Sequence, residues 1–150
     1  MKLKWTTEQS LNLTKILTVA CLVLAGAALF CIPVITEWYD AVSGQPPIRT
    51  LLTVCLYISD MLAMLALWEL FQMLRNIAAE RVFVPENARC FRIISWCCFA
   101  VGAVWVVLTF WRLLAFFVAF IAVFAGLILR VIKNLIDRAT VLREENDFTI

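Results

Sequence analysis

Four apolar stretches, each long enough to cross a lipid bilayer as a helix, constrain this chain more than any other feature. They run over residues 16–35, 48–74, 93–110 and 113–132. A membrane-spanning helix needs about 20 apolar residues, whereas a membrane β-barrel alternates apolar and polar residues. The run CLVLAGAALF shows no such alternation. Because helices satisfy every backbone polar group in lipid, the sequence predicts an all-α, polytopic membrane protein with a four-transmembrane-helix bundle.

Composition supports a single membrane domain over residues 1–150. The chain is 64% apolar and has a mean hydropathy of +0.94. Soluble domains contain about 45–50% apolar residues, so this chain lies well outside their range.

The first stretch also has two features of a secretory signal peptide. Basic Lys2 and Lys4 precede it, and the small residues at 25–27 resemble a cleavage site. A signal peptide has an apolar run of about 7–15 residues, and the run here is longer. We therefore expect a retained transmembrane helix.

Lysine and arginine residues are distributed unevenly around the four stretches. All but two of the 13 lie near the N-terminus, between the second and third stretches, or after the fourth. The exceptions are Arg49 and Arg112. Because cytoplasmic segments carry the excess of basic residues, both termini and the middle loop are predicted to face the cytoplasm.

The segment after the fourth stretch, residues 133–150, is predicted to be a cytoplasmic helical extension and tail. Apolar residues recur there at helical spacing: Ile132, Leu135, Ile136, Ala139 and Leu142. Such a helix either is a solvated helix end that lies against its own bundle or the lipid headgroups, or it docks a partner. The final DFTI is predicted to be extended, so that it can add as a strand to a partner or fold back onto the middle loop.

Small residues indicate where helices can approach closely in lipid. They lie at similar depth in three stretches: residues 25–28, then Gly102 and Ala103, then Ala115, Ala119, Ala122 and Gly126. We expect the bundle to be tightest at its centre. A homo-oligomer interface is the alternative use of the same residues.

Asp60 lies within one residue of the midpoint of the second stretch. An ionised carboxylate at that depth costs about 2.5–3.5 kcal/mol, so Asp60 should face the bundle or a watery cavity. No basic residue lies at a matching depth, so the predicted partners are Tyr57, Trp105 or a backbone carbonyl. The functional alternative is a small oligomeric transporter or channel in which Asp60 is the proton or cation coupling group.

The residue types of this chain give little support for a cofactor site or an enzyme active site. The chain has six cysteines, no histidine and no C-x-x-C motif. A Cys31–Cys55 disulfide and a Cu(I) cluster of Cys55, Met61 and Met64 are the remaining alternatives. Without a histidine-based triad or a Gly-rich phosphate loop, we predict no cofactor, no metal and no enzymatic activity.

Two short signatures stand out from the hydrophobic pattern. The first is the turn VFVPENARCFRII with Phe83 and Asn87, and the second is the terminus at residues 145–150. Both resemble the bacterial membrane family known as domain of unknown function 2975. The resemblance implies a multi-pass protein of the bacterial inner membrane without known activity, often encoded beside a small helix-turn-helix DNA-binding regulator.

If that association extends to this chain, the protein is a membrane anchor or sensor for the regulator and binds no nucleic acid directly. Its expected partners are then the lipid bilayer and this cytoplasmic protein. The arginines of the middle loop can meet acidic partner groups or anionic lipids, or only reflect the orientation bias. The predicted interaction residues are Arg81, Phe83, Asn87, Arg89, Arg92, Arg143, Glu145, Asn146, Asp147, Phe148 and Ile150.

Overall fold

The structure, a computed structural model, describes residues 7–149 and forms four helices. They are α1 (Thr7–Ser43), α2 (Arg49–Ala78), α3 (Pro85–Thr109) and α4 (Ala115–Phe148). Each is long and apolar enough to cross a membrane, and no strand occurs in the described part of the chain. The predicted all-α class with four membrane-spanning helices is confirmed. Lys2, Lys4 and Ile150 lie outside the described residues.

The helices extend beyond the predicted stretches, and the longest extension at a single end is that of α4. This helix continues through the polar tail to Phe148, so the prediction of an extended DFTI end is wrong. Its last turn is closed by Thr149, whose Oγ1 donates to the carbonyl of Glu145 at 2.7 Å. The residues before it, LREEN, include strong helix formers that carry the helix to this point.

Helix packing follows chain order. Helix α1 contacts α2, α2 contacts α3, and α3 contacts α4, with α3 and α4 in the most extensive contact. Among the described residues, no Cα of α1 lies within 8 Å of a Cα of α3 or α4, and the same holds for α2 and α4. The predicted four-helix bundle is therefore open, since close backbone approach is limited to helices that are consecutive in the chain. The chain exposes 10611 Å², compared with about 7,800 Å² for a compact soluble monomer of its mass.

Small residues produce the tight contact between α3 and α4. A Cβ added to Gly102 would lie 2.6 Å from Cγ2 of Val123, and one added to Gly126 would lie 3.0 Å from the Phe99 ring. The expected close approach of α3 and α4 at their small residues is confirmed. In α1, by contrast, a Cβ added to Gly26 would have no neighbouring atom within 4 Å, so this part of the predicted tight centre is absent.

One end of the molecule contains residues 44–48 and 110–114, and we call it the Arg112 end. Its core is formed by Ile48, Leu52, Cys55, Leu108 and Ala115. Arg112 links the two connections at this end, because its Nε donates to Tyr39 Oη at 3.1 Å and its Nη2 to the Pro46 carbonyl at 2.8 Å. The opposite end, here the Asn87 end, contains residues 79–84 and the last turns of α4.

Candidate functional site

The loop at the Asn87 end is held by one buried amide. The Asn87 side chain is 1% exposed, and its Nδ2 donates to the carbonyls of Arg81 at 2.9 Å and Val82 at 2.8 Å. Its Oδ1 accepts a hydrogen bond from Nδ2 of Asn76 at 2.9 Å. Asn87 was predicted as an interaction residue, and the structure places its side chain inside the protein with its amide groups hydrogen-bonded within the chain.

The start of the same loop has an unusual backbone conformation. Glu80 has a φ of +58°, the left-handed region that favours glycine. The turn is fixed by hydrogen bonds from the Glu80 amide to the Ile77 carbonyl and from the Arg81 amide to the Asn76 carbonyl, each 3.0 Å. Helix α2 therefore ends in a left-handed cap that carries a carboxylate where glycine is usual.

A groove of about 340 Å³ lies between this loop and the last turns of α4. It is lined by Glu80, Arg81, Phe83, Val84, Pro85, Thr140, Arg143, Glu144 and Asp147. Both signatures contribute to its walls although they are about 60 residues apart in the chain. Four of the predicted interaction residues are thus brought together: Arg81, Phe83, Arg143 and Asp147.

The charged groups of the groove are not used inside the chain. Arg81 and Arg143 face three carboxylates, yet no ion pair joins any of them in the described part of the protein. The Phe83 side chain beside them is 44% exposed. An exposed aromatic ring flanked by unpaired groups of both signs can anchor an external peptide segment through apolar burial and charge-assisted hydrogen bonds.

The other predicted interaction residues lie outside the groove lining. Arg89 and Arg92 are exposed on the first turns of α3. Glu145 lines a shallow depression on another face of α4, and the Phe148 side chain is 90% exposed at the end of that helix. Asn146 is also exposed. The sequence analysis did not predict Glu80, Thr140 and Glu144. They are recognised as groove residues only because α4 approaches the loop in the structure.

Asp60 forms a second polar feature, within α2. Its Oδ2 is buried and accepts no hydrogen bond. Neither predicted partner serves it, because Tyr57 donates to the Leu29 carbonyl at 3.2 Å and Trp105 donates to Ser59 Oγ at 2.9 Å. These two predicted pairings are not formed, since each donor bonds another acceptor, and Oδ2 of Asp60 has no partner within the described residues.

The six cysteines are free thiols, so the Cys31–Cys55 disulfide is not formed. Cys55 is buried in the core of the Arg112 end, whereas Met61 is 59% exposed on another face of α2. The Cu(I) cluster of Cys55 with Met61 and Met64 is therefore not assembled. Over residues 7–149, no group of three or more His, Cys, Asp or Glu side chains is placed to hold a metal ion.

Comparison with models of protein families identifies a family for this chain. The model of a family described as "Protein of unknown function (DUF2975)" matches residues 5–150, which is nearly the whole chain. No curated protein and no solved structure matches. The chain therefore belongs to the DUF2975 family of proteins of unknown function.

Proposed function

We propose that this protein is a non-enzymatic membrane protein whose groove at the Asn87 end binds a segment of a cytoplasmic protein. The observation that carries the proposal is the meeting of the two signature segments at one groove with unpaired charges and an exposed Phe83. Here the guanidinium and carboxylate groups remain available to a partner.

The proposal places the protein in the bacterial inner membrane with both termini and the Asn87 end in the cytoplasm. The supporting observation is the concentration of Lys and Arg residues near the termini and in the middle loop. Helix α4 then continues well beyond the membrane, since its tail is helical through Phe148.

The proposed partner is a small helix-turn-helix DNA-binding regulator, as the family resemblance implies. The groove carries two arginines against three carboxylates, Glu80, Glu144 and Asp147. This balance disfavours direct binding of a nucleic acid backbone, which requires an excess of positive charge. It suits a peptide with an apolar anchor flanked by both basic and acidic residues.

Co-purification of the full-length protein with the regulator encoded beside it, from native membranes in mild detergent, tests the proposal. Phe83→Ala and Arg143→Glu should each abolish recovery of the regulator, as should deletion of residues 143–150. The matched control is Arg89→Ala, an exposed arginine at the same end but outside the groove. Recovery that is unchanged by the groove variants, or equally lost with Arg89→Ala, would contradict the proposal.

A second candidate is a small oligomeric transporter or channel with Asp60 as its coupling group. The observation that favours it is the buried, unpartnered Oδ2 of Asp60. It predicts pH-dependent ion flux in liposomes that disappears in Asp60→Asn. Equal flux in that variant would eliminate this candidate.

A further inference from the structure

A small cleft lies between α1 and α2, within the apolar part of both helices. Its volume is about 210 Å³, and we call it the α1–α2 cleft. The Thr18 hydroxyl donates to the Thr14 carbonyl at 2.8 Å and so is turned to its own helix. The surface of the cleft is apolar and suits a hydrocarbon chain. The cleft is lined by Thr18, Val19, Leu22, Leu67, Trp68 and Phe71.

The α1–α2 cleft is open toward the lipid. Val19 on one wall is 44% exposed and Trp68 on the other is 51% exposed. The ring centroids of Trp68 and Phe71 are 6.4 Å apart, so these two rings form a continuous aromatic wall. A transmembrane helix packs closely where small residues form the contact, and the exposed rim of this cleft is built from larger side chains. A flexible acyl chain fits such a rim better than a helix does.

Two cations lie at one end of the α1–α2 cleft. Nζ of Lys15 is 5.9 Å from the centroid of the Phe71 ring, which places the amine beside the cleft wall. Arg75 is exposed and follows Phe71 by four residues, on the same face of α2. Neither cation forms an ion pair with an acid in the described part of the chain. Glu8 is two turns away from Lys15, and Glu69 is directed toward α3.

The order of charge and apolar surface matches that of a phospholipid. The apolar stretches of α1 and α2 cover residues 16–35 and 48–74, so Lys15 and Arg75 each lie just outside the hydrocarbon region. The cleft begins one turn further into the membrane. A phospholipid likewise has its phosphate at the boundary and its acyl chains directly below. The two cations and the cleft therefore lie at the depths of the two parts of one lipid.

We propose that the α1–α2 cleft binds an acyl chain of an anionic phospholipid whose phosphate is held by Lys15 and Arg75. Charge complementarity selects the headgroup, because two unpaired cations favour a lipid with a net negative charge over a zwitterionic lipid. The contact with the Phe71 ring keeps the Lys15 amine beside the cleft. This site is independent of the groove at the Asn87 end, because it lies on other helices and takes a lipid.

Photo-crosslinking of the full-length protein in phosphatidylcholine liposomes tests the proposal. One probe is phosphatidylglycerol with a diazirine on its acyl chain near the headgroup, and the matched probe is phosphatidylcholine with the same diazirine. Mass spectrometry locates the labelled residues. We expect phosphatidylglycerol to label Val19, Leu22 and Trp68 about tenfold more than phosphatidylcholine does. Both probes should label Phe120 equally, since it is 59% exposed on α4, away from the cleft.

Variants separate the contribution of the cations from that of the cleft. Lys15→Ala combined with Arg75→Ala should reduce the labelling ratio of the two probes at the cleft to about one. The matched control is Arg89→Ala combined with Arg92→Ala, which removes two exposed cations of α3 and should leave the ratio near ten. Val19→Trp keeps both cations but fills the cleft, and it should lower labelling of the cleft by phosphatidylglycerol several-fold.

Equal labelling of the cleft by the two probes in the wild-type protein would overturn the proposal, and this comparison needs no variant to fold. A phosphatidylglycerol preference that survives the loss of Lys15 and Arg75, or that is as large at Phe120 as in the cleft, would also overturn it. Absence of label from the cleft with both probes, together with crosslinks from the cleft to a second copy of the chain, would assign the cleft to that copy and refute a lipid site.

Discussion

The short connections between helices at the two ends of the molecule are held by different kinds of side chain. At the Arg112 end, the side chains of Arg112 and Asp40 are bound to backbone groups of the neighbouring connection. At the Asn87 end, only the backbone of the loop is fixed, by Asn87, and the charged groups of Arg81 and Glu80 are left without an ion pair among the described residues. Charged side chains thus hold the connection at the Arg112 end, whereas an uncharged amide holds the loop at the Asn87 end and the charged groups beside it form no ion pair among the described residues.

The largest expected effect concerns the buried amide that fixes the loop. Asn87→Ala should lower the free energy of unfolding by about 3 kcal/mol, because Asn76 and two backbone carbonyls lose their partner. Unfolding in mixed micelles measures this change. Asn134→Ala, at an exposed site, is the control and should have no effect. If Asn87→Ala lowers the free energy of unfolding no more than the control does, this residue does not hold the loop.

Removal of Arg112 tests whether the opposite end depends on a single side chain. Arg112→Ala should lower the free energy of unfolding by about 2 kcal/mol, since it removes the hydrogen bonds to Tyr39 and Pro46. Arg81→Ala should leave the stability unchanged. The same unfolding assay applies, and equal losses from the two arginines would remove the contrast between the ends.

A smaller effect is expected at the N-terminus of α2. Asp40 accepts hydrogen bonds from the amides of Ile48 at 3.2 Å and Arg49 at 2.8 Å. Asp40→Ala should therefore cost about 1 kcal/mol in unfolding free energy, as for loss of a helix cap. Asp147→Ala, in the groove, should cost nothing measurable. A penalty for Asp147→Ala would mean that the groove charges stabilise the fold.

A change of about the same size, but a gain in stability, is expected at Glu80. Glu80→Gly should raise the unfolding free energy by about 1 kcal/mol, because glycine adopts the left-handed backbone without strain. The same variant should weaken capture of the cytoplasmic partner, since a carboxylate of the groove is lost. A loss of stability, or unchanged capture, would show that the strain at Glu80 has no link to binding.

The helices could be predicted from the sequence, whereas their arrangement could not. Long apolar runs determine which segments form membrane-spanning helices, because backbone groups without hydrogen bonds are excluded from lipid. Lipid-facing and helix-facing residues are equally apolar, so nothing in the run of α1 indicated that the Gly26 region would lack a neighbour. Close packing at Gly102 and Gly126 was predictable because the small residues of α3 and α4 occur at matching depth.

The groove was predictable only in part, for a different physical reason. Arg81, Phe83, Arg143 and Asp147 were selected from local signatures, and the structure places them on one groove. The burial of Asn87 depends on Asn76, on another helix, and on the path of the loop. The left-handed conformation of Glu80 likewise has no local marker, because glycine is the residue that usually signals it.

The most direct test of the central claim is site-specific photo-crosslinking in native membranes. A photoreactive phenylalanine analogue placed at position 83 should form a covalent adduct with one soluble protein of the cytoplasm. The same analogue at position 110, where Phe110 is 84% exposed at the Arg112 end, should form none. No adduct at position 83, or equal adducts at both positions, would contradict a binding groove at the Asn87 end.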